Sequence, residues 1–120
     1  MNSKELESRL IDFAVEIIDL VKNNDDNYAG KHLSGQIIRS STSAPLNYGE
    51  AQSAESRRDF IHKMQISLKE LRETYVNLRI IEKAKLNGST KKLSDLIVES
   101  NELISIFVRS VETSKKNENR

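Results

Sequence analysis

Apolar residues recur every three or four positions along most of the chain, in four blocks separated by short polar stretches. This spacing places the apolar side chains of each block on one face of an α-helix. The blocks predict helices over about residues 4–22, 28–52, 56–86 and 90–113. Four amphipathic helices joined by short loops are typical of an antiparallel up-down-up-down bundle. We therefore predict one all-α four-helix bundle domain over residues 1–120, with a polar, frayed tail at 114–120.

Residues that commonly begin or end helices support these boundaries. Residues 23–27 interrupt the pattern with turn-forming Asn and Asp side chains. Ser56, followed three residues later by Asp59, resembles a capping box at the start of the third helix. At the end of that helix, Asn87 and Gly88 predict a left-handed cap.

The only proline of the chain, Pro45, lies inside the second block. In a helix interior, proline removes one backbone hydrogen bond and clashes with the preceding turn, at a cost of about 3 kcal/mol. We therefore expect the second helix either to be kinked at Pro45 or to be broken just before it.

Composition narrows the classes of protein that remain. The chain has 120 residues, enough for one core without disulfides, and it contains no Cys. Its apolar runs are shorter than the roughly 20 residues of a membrane span. The first nine residues are polar and lack the apolar segment of a signal peptide. We expect a soluble cytoplasmic protein that does not contact membranes.

Few residues could carry catalysis or bind a metal. The two histidines, His32 and His62, lie on different predicted helices, and no Glu-x-x-His pair accompanies them. The chain has neither a Gly-x-Ser-x-Gly elbow nor a glycine-rich phosphate loop. We therefore expect no catalytic residue, no metal, no cofactor and no small-molecule substrate, so the protein is not expected to be an enzyme.

Charge is unevenly distributed, although the net charge is only +1. Residues 1–27 contain seven acidic and three basic side chains, whereas residues 56–92 contain ten basic and four acidic ones. An acidic face of one copy could therefore meet a basic face of the next. Such head-to-tail contacts between identical chains can close into rings.

The positive charge of the third block follows a stripe at helical spacing. Its members are Arg58, His62, Gln65, Lys69, Arg72, Val76, Arg79 and Lys83. The stripe could follow a phosphate backbone, or it could be a solvated face whose field is weakened by Glu73 and Glu82. An aromatic content of 5% and a pI near 8.0 favour the solvated face. Binding of RNA or DNA by the five cations of the stripe stays the alternative.

A polar row lies along one face of the second block, at spacings of three, four, four and three. Its members are Gln36, Arg39, Ser43, Asn47 and Glu50. Three interpretations are open: a surface face, a partly buried network that fixes helix register and subunit pairing, or a ligand site. We favour the structural network.

Residues 36–51 resemble the signature of the bacterial four helix bundle family, which is also known as the 23S rRNA intervening-sequence or ribosomal-protein-like family. That signature reads roughly Gln-Ile-Arg-Arg-Ala-x-x-Ser-Ile-Pro-x-Asn-Ile-Ala-Glu-Gly. The positions that match in register are Gln36, Ile37, Arg39, Ser43, Pro45, Asn47 and Glu50. Residues 59–74 also look like the family's third helix, so the resemblance covers nearly the whole chain. Departures at Ala44, Tyr48, Gly49 and Ala51 indicate repacking around Pro45.

The resemblance implies a left-handed bundle that assembles into a homopentameric ring. Family members are encoded within intervening sequences of large-subunit ribosomal RNA genes or stand alone. A related branch, the accessory variability determinant of diversity-generating retroelements, is a more basic pentamer that binds nucleic acid and a reverse transcriptase. We therefore expect a non-enzymatic homo-oligomeric scaffold, a pentamer, whose partner is itself, with RNA or DNA binding as the alternative.

Overall fold

The computed structural model describes residues 1–118, which form four α-helices and short connecting loops. The helices are α1 (Ser3–Val21), α2 (Tyr28–Gln52), α3 (Arg57–Lys83) and α4 (Thr90–Glu118). Within this part of the chain, each helix packs against its neighbours in sequence and α4 packs back onto α1, whereas the backbones of the diagonal pairs do not approach each other closely. The fold is therefore the predicted all-α four-helix bundle, with principal extents of 51 × 21 × 21 Å.

The core consists of the apolar stripes that the periodicity predicts. Its fully buried members include Leu10, Ile17, Leu20, Ile37, Leu71, Leu78, Ile81, Leu103 and Phe107. Tyr48 of α2 packs edge-to-face on Phe107 of α4, with ring centroids 5.6 Å apart. Each such side chain contributes about 1.5–3 kcal/mol of burial free energy, so the stripes hold the bundle together. None of the helices in residues 1–118 is long and apolar enough to cross a bilayer.

Of the two alternatives expected at Pro45, the break in α2 does not occur. The helix continues through Pro45 as one element from Tyr28 to Gln52. Beside the proline, the Ser67 hydroxyl of α3 donates to the Ala44 carbonyl oxygen at 2.9 Å, which anchors this turn to the neighbouring helix. The helix is therefore held against α3 at this turn, and a kink at Pro45 stays a prediction.

The prediction of a left-handed Gly88 cap near Leu86 is wrong. The helix ends at Lys83, and Lys85 adopts the left-handed conformation with φ of 57°, whereas no glycine has positive φ. The Leu86 amide donates to the Ile81 carbonyl at 3.1 Å, which is the 6→1 bond of a Schellman motif. The chain turns early because this geometry returns Leu86 to the core, where it is buried.

Helix α4 continues past its predicted end. Residues 114–118 were expected to be frayed, but they extend the helix to Glu118. Lys115 and Lys116 lie in the last turn, where cations interact favourably with the negative end of the helix dipole. Residues 119–120 of the predicted tail lie outside the described residues.

The two loops at one end of the bundle are joined to each other. The Asn87 side-chain amide donates to the Leu20 carbonyl at 2.8 Å and to the Asn24 side-chain oxygen at 2.7 Å. The Asp25 amide donates to the Leu86 carbonyl at 2.7 Å. The α1–α2 loop and the α3–α4 loop therefore form one rigid end, which fixes α1 relative to α3.

Replacing Lys85 with Gly should stabilise the protein by about 1 kcal/mol, because glycine adopts positive φ without the Cβ clash that lysine suffers. Urea denaturation of the wild type and of Lys85→Gly would measure the change. Lys83→Gly is the matched control: it places the same substitution inside the helix and should destabilise by up to about 1 kcal/mol. A loss of stability in both variants would contradict the left-handed assignment of Lys85.

Candidate functional site

A groove with a volume of about 830 Å³ runs between α2 and α3; we call it the α2/α3 groove. Its apolar lining comes from Leu33, Leu68, Val76 and Ile80. Polar side chains from both helices complete the lining: His32, Gln36, Arg39, Ser40, Gln65, Lys69, Arg72, Glu73 and Asn77. Concave apolar surfaces with a few polar groups are common binding sites, so this groove is a candidate for one.

Arg39 connects the rim of the groove to α3. Its Nη1 donates to Glu70 Oε2 at 2.7 Å, and its Nη2 binds the Glu73 carboxylate. The Glu70 side chain is only 6% exposed, whereas that of Arg39 is half-exposed. Hydrogen bonding to Glu73 and Glu70 raises the pKa of the Arg39 guanidinium, which therefore remains charged. Arg39 compensates the buried Glu70 carboxylate, because an unpaired buried charge is strongly unfavourable.

A buried polar seam lies beneath the groove. Ser67, Glu70, Thr74 and Asn77 occupy successive turns of α3, and all four are buried. The Ser40 and Thr74 hydroxyl oxygens lie 2.7 Å apart and share a hydrogen bond between the two helices. Sequence reasoning missed this seam, although its spacing of three, four and three was visible in the third block. Polar residues at that spacing are usually taken as a solvent face, whereas here they face α2.

Asn77 has an unusual environment within the seam. Its Nδ2 donates to the Leu33 carbonyl at 3.2 Å, which fixes the orientation of the amide. Its Oδ1 is buried and lacks a hydrogen-bond donor among residues 1–118. The residue is 8% exposed and lines the α2/α3 groove. Because a buried acceptor without a donor costs about 1–3 kcal/mol, a group that enters the groove could relieve this cost.

The predicted polar row does not form one network in the single chain. Arg39 reaches across to α3, while Asn47 Nδ2 donates to the Ser43 hydroxyl and carbonyl oxygens at 3.0 Å within α2. Glu50 pairs with Lys63 of α3 at 3.5 Å, and Gln36 lies exposed at the groove. The row therefore divides into separate contacts, and its role in subunit pairing stays a prediction.

The predicted basic stripe lies on the outer face of α3. Arg58, Lys69, Arg72 and Lys83 are exposed and form no ion pair within residues 1–118. The fifth cation, Arg79, lies over the Tyr75 ring at 5.8 Å from its centroid and donates to its hydroxyl at 3.1 Å. Four of the five proposed nucleic-acid contacts are therefore available to an external anion.

Part of the acidic charge of α1 is used within the chain. Lys92 of α4 pairs with Glu16 at 3.0 Å and also binds Asp19. The hydrogen bond from Lys92 lowers the pKa of the Asp19 carboxyl. Arg9 donates to both carboxylate oxygens of Glu99 on α4 at 2.7 Å. These contacts fix α1 to α4, so only some of the α1 acids can meet a neighbouring copy.

The acids Glu7 and Asp12 make no ion pair within the described chain. Glu7 borders an exposed apolar surface, and Asp12 lies three residues before Val15 of that surface on the same helix. Four side chains form this surface, which we call the α1/α2 patch: Ile11, Val15, Ile18 and Leu46. They are between 40% and 68% exposed. The patch borders a second groove, between α1 and α2, with a volume of about 520 Å³.

The two histidines do not meet. His32 stacks on Tyr28, with ring centroids 5.9 Å apart and planes inclined by 8°. His62 lies exposed on α3. Within residues 1–118, no three His, Asp or Glu side chains lie close enough together to hold a metal ion.

Replacing Asn77 with Leu should raise the free energy of unfolding by about 1 kcal/mol, because it removes a buried acceptor that lacks a donor. Thermal or urea denaturation would measure the change. Asn101→Leu, on an exposed position of α4, is the matched control and should change stability by less than about 0.5 kcal/mol. A marked loss of stability in Asn77→Leu alone would show that the lost hydrogen bond to the Leu33 carbonyl outweighs the cost of the unpaired Oδ1 atom.

The chain is similar to known proteins over most of its length. The family model for 23S rRNA-intervening sequence protein matches residues 5–109. One solved structure to which the chain is similar is that of a protein of unknown function from Bacteroides thetaiotaomicron VPI-5482, which belongs to the S23 ribosomal protein family. It is 30% identical with a TM-score of 0.79, and the similarity covers 88% of this chain and 97% of that one. No curated protein matches the chain.

Neither description names a reaction. The matched residues include the whole of α2 and α3, and with them the α2/α3 groove. The similarity confirms the resemblance carried by residues 36–51, and the chain belongs to the family of 23S rRNA-intervening sequence proteins.

Proposed function

We propose that this protein is a non-enzymatic homo-oligomeric scaffold whose bundles pack side by side, with a pentameric ring as the expected form. The observation that carries the proposal is the α1/α2 patch, whose four apolar side chains remain 40% to 68% exposed in the single chain. A contiguous exposed apolar patch is typical of a protein–protein interaction site. A second copy is the simplest partner, because every chain carries the same patch and the same exposed charges.

The distribution of charge supports assembly of identical chains. Glu7 and Asp12 beside the patch are unpaired within residues 1–118, as are Lys69 and Arg72 at the α2/α3 groove. Complementary charges on two surfaces of one chain favour contacts between copies and fix their orientation. The resemblance to a family of pentameric rings supports the same form.

Replacing Val15 with Asp should dissociate the oligomer, because a charge would be buried in the apolar contact. Light scattering at low and high salt would give the solution mass of the wild type and of the variant, compared with 13.7 kDa for one chain. Val98→Asp is the matched control: Val98 on α4 is exposed to 59%, similar to Val15 at 55%, but lies outside the patch. A wild-type monomer at both salt concentrations would overturn the proposal.

The second candidate function is binding of RNA or DNA along α3. It is favoured by the four exposed cations of the basic stripe that lack ion pairs in the described chain: Arg58, Lys69, Arg72 and Lys83. Cations on one helix face can contact successive phosphates and release the counterions that those phosphates hold.

If these four cations contact phosphates, the logarithm of the affinity for duplex DNA should fall with the logarithm of salt concentration at a slope of about −3.6. Replacing Lys69 and Arg72 together with Gln should reduce the slope by about 1.8. The matched control replaces Lys115 and Lys116 with Gln at the end of α4 and should leave the slope unchanged. Fluorescence anisotropy of labelled duplex DNA would measure the binding. No binding at low salt, or an affinity that does not change with salt concentration, would exclude this candidate.

A further inference from the structure

We infer that the α1/α2 patch of one copy docks into the α2/α3 groove of the next copy, so that the bundles close into a small ring. The inference rests on the proposed assembly and adds the two surfaces that meet. These surfaces lie on adjacent long sides of the bundle and share α2 as their common edge.

Both surfaces present large exposed apolar side chains at helical spacing. Ile11, Val15 and Ile18 are spaced four and three residues apart on α1, which is the anchor pattern of a helix that lies in a groove. The groove presents Val76 and Ile80, which are also large exposed apolar side chains. Its volume of about 830 Å³ can admit several side chains of this size.

Charge selects this head-to-tail contact over a symmetric one. A patch-to-patch contact would place the unpaired acids of both copies in one interface, and a groove-to-groove contact would do the same with Lys69 and Arg72 of both copies. Both arrangements place like charges close to each other, which disfavours them. A patch-to-groove contact instead brings the unpaired acids to the unpaired bases.

Asn77 provides a separate indication that the groove is covered. Its buried Oδ1 lacks a donor within residues 1–118, and it lines the part of the groove nearest to Val76 and Ile80 in sequence. A docked α1 helix carries exposed polar side chains beside its apolar stripe, among them Ser8, one turn before Asp12. Because the Oδ1 atom is shielded within the single chain, a hydroxyl donor from the neighbouring copy reaches this acceptor only when the Asn77 side chain turns towards the groove.

The geometry of the bundle limits the size of the ring. One long side measures 51 by 21 Å, on the order of 1,000 Å², which exceeds the roughly 800 Å² that each partner buries in a stable interface. Adjacent sides of a four-helix bundle face outwards at about 90° to each other. Head-to-tail contact at about 90° closes after about four copies, and an angle of about 108° closes after five. The inferred contact therefore predicts a ring of four or five copies.

Paired charge reversals test the contact. The groove variant carries Lys69→Glu and Arg72→Glu, and the patch variant carries Glu7→Lys and Asp12→Lys. Light scattering should show that each variant alone falls to the monomer mass of 13.7 kDa, because patch and groove then carry like charges. The chain with all four substitutions should recover the wild-type mass, because each contact again joins opposite charges.

A mixture of the two variants gives a stricter test. Each contact can form only between unlike copies, so an equal mixture should assemble into particles with an even number of chains and should not form pentamers. The matched control carries Arg58→Glu and Lys83→Glu, which reverse the same charge on α3 outside the groove, and should keep the wild-type mass. Circular dichroism confirms that each variant retains its helices.

The outcomes separate the contact from assembly itself. If the wild type is monomeric, both the proposed function and the inferred contact fail. If the wild type is oligomeric and the groove variant keeps its mass, assembly stands and the docking of the patch into the groove is overturned. If both single variants dissociate and the four-substitution chain does not reassemble, the direct pairing of these charges is also overturned.

Discussion

The buried Glu70 carboxylate imposes the constraint on which the α2–α3 half of the bundle depends. An acid at this position cannot be left unpaired, so Arg39 must reach it across the helix interface. That requirement fixes the axial register of the two helices, and the Ser40–Thr74 and Ser67–Ala44 hydrogen bonds fit the same register. A polar seam of this kind specifies one alignment where a purely apolar seam would tolerate several. The α2/α3 groove lies above this seam and is lined by Asn77 of the seam and by Ser40 of α2.

The helices could be predicted from the sequence because their apolar periodicity depends only on which face is buried. The end of α3 could not, because the position of the turn depends on the burial of Leu86, a tertiary effect that overrides the preference of Gly88 for left-handed backbone. Arg39 was found as a site residue, but its partners were not. Ion pairs between helices depend on their relative register, which the sequence of one helix does not reveal. The ion pairs of Lys92 with Glu16 and Asp19 on α1 were not predicted for the same reason.

The charges that can contact another molecule are those that are not already paired within the chain. The total charge of a segment does not separate these two groups. The acidic excess of residues 1–27 suggested an acidic face on the first helix. The structure instead divides α1 into a side that is neutralised by Arg9 and Lys92 and a side where Glu7 and Asp12 flank apolar residues. Glu73, expected to weaken the basic stripe, is bound by Arg39. Because Arg39 also pairs with Glu70, these three side chains keep a net charge of −1 beside Lys69 and Arg72.

Assembly and nucleic-acid binding compete for the same side chains. Lys69 and Arg72 lie at the α2/α3 groove and are also the central members of the basic stripe. A neighbouring copy in the groove would neutralise these two cations and leave Arg58 and Lys83, which lie near opposite ends of α3 and are separated by about 37 Å at 1.5 Å per residue. Affinity for a phosphate backbone rises with the number of phosphates that the cations neutralise. Two cations at that distance neutralise only two phosphates, so they bind the backbone weakly. A ring closed through the groove would therefore not use this face of α3 for strong binding of nucleic acid.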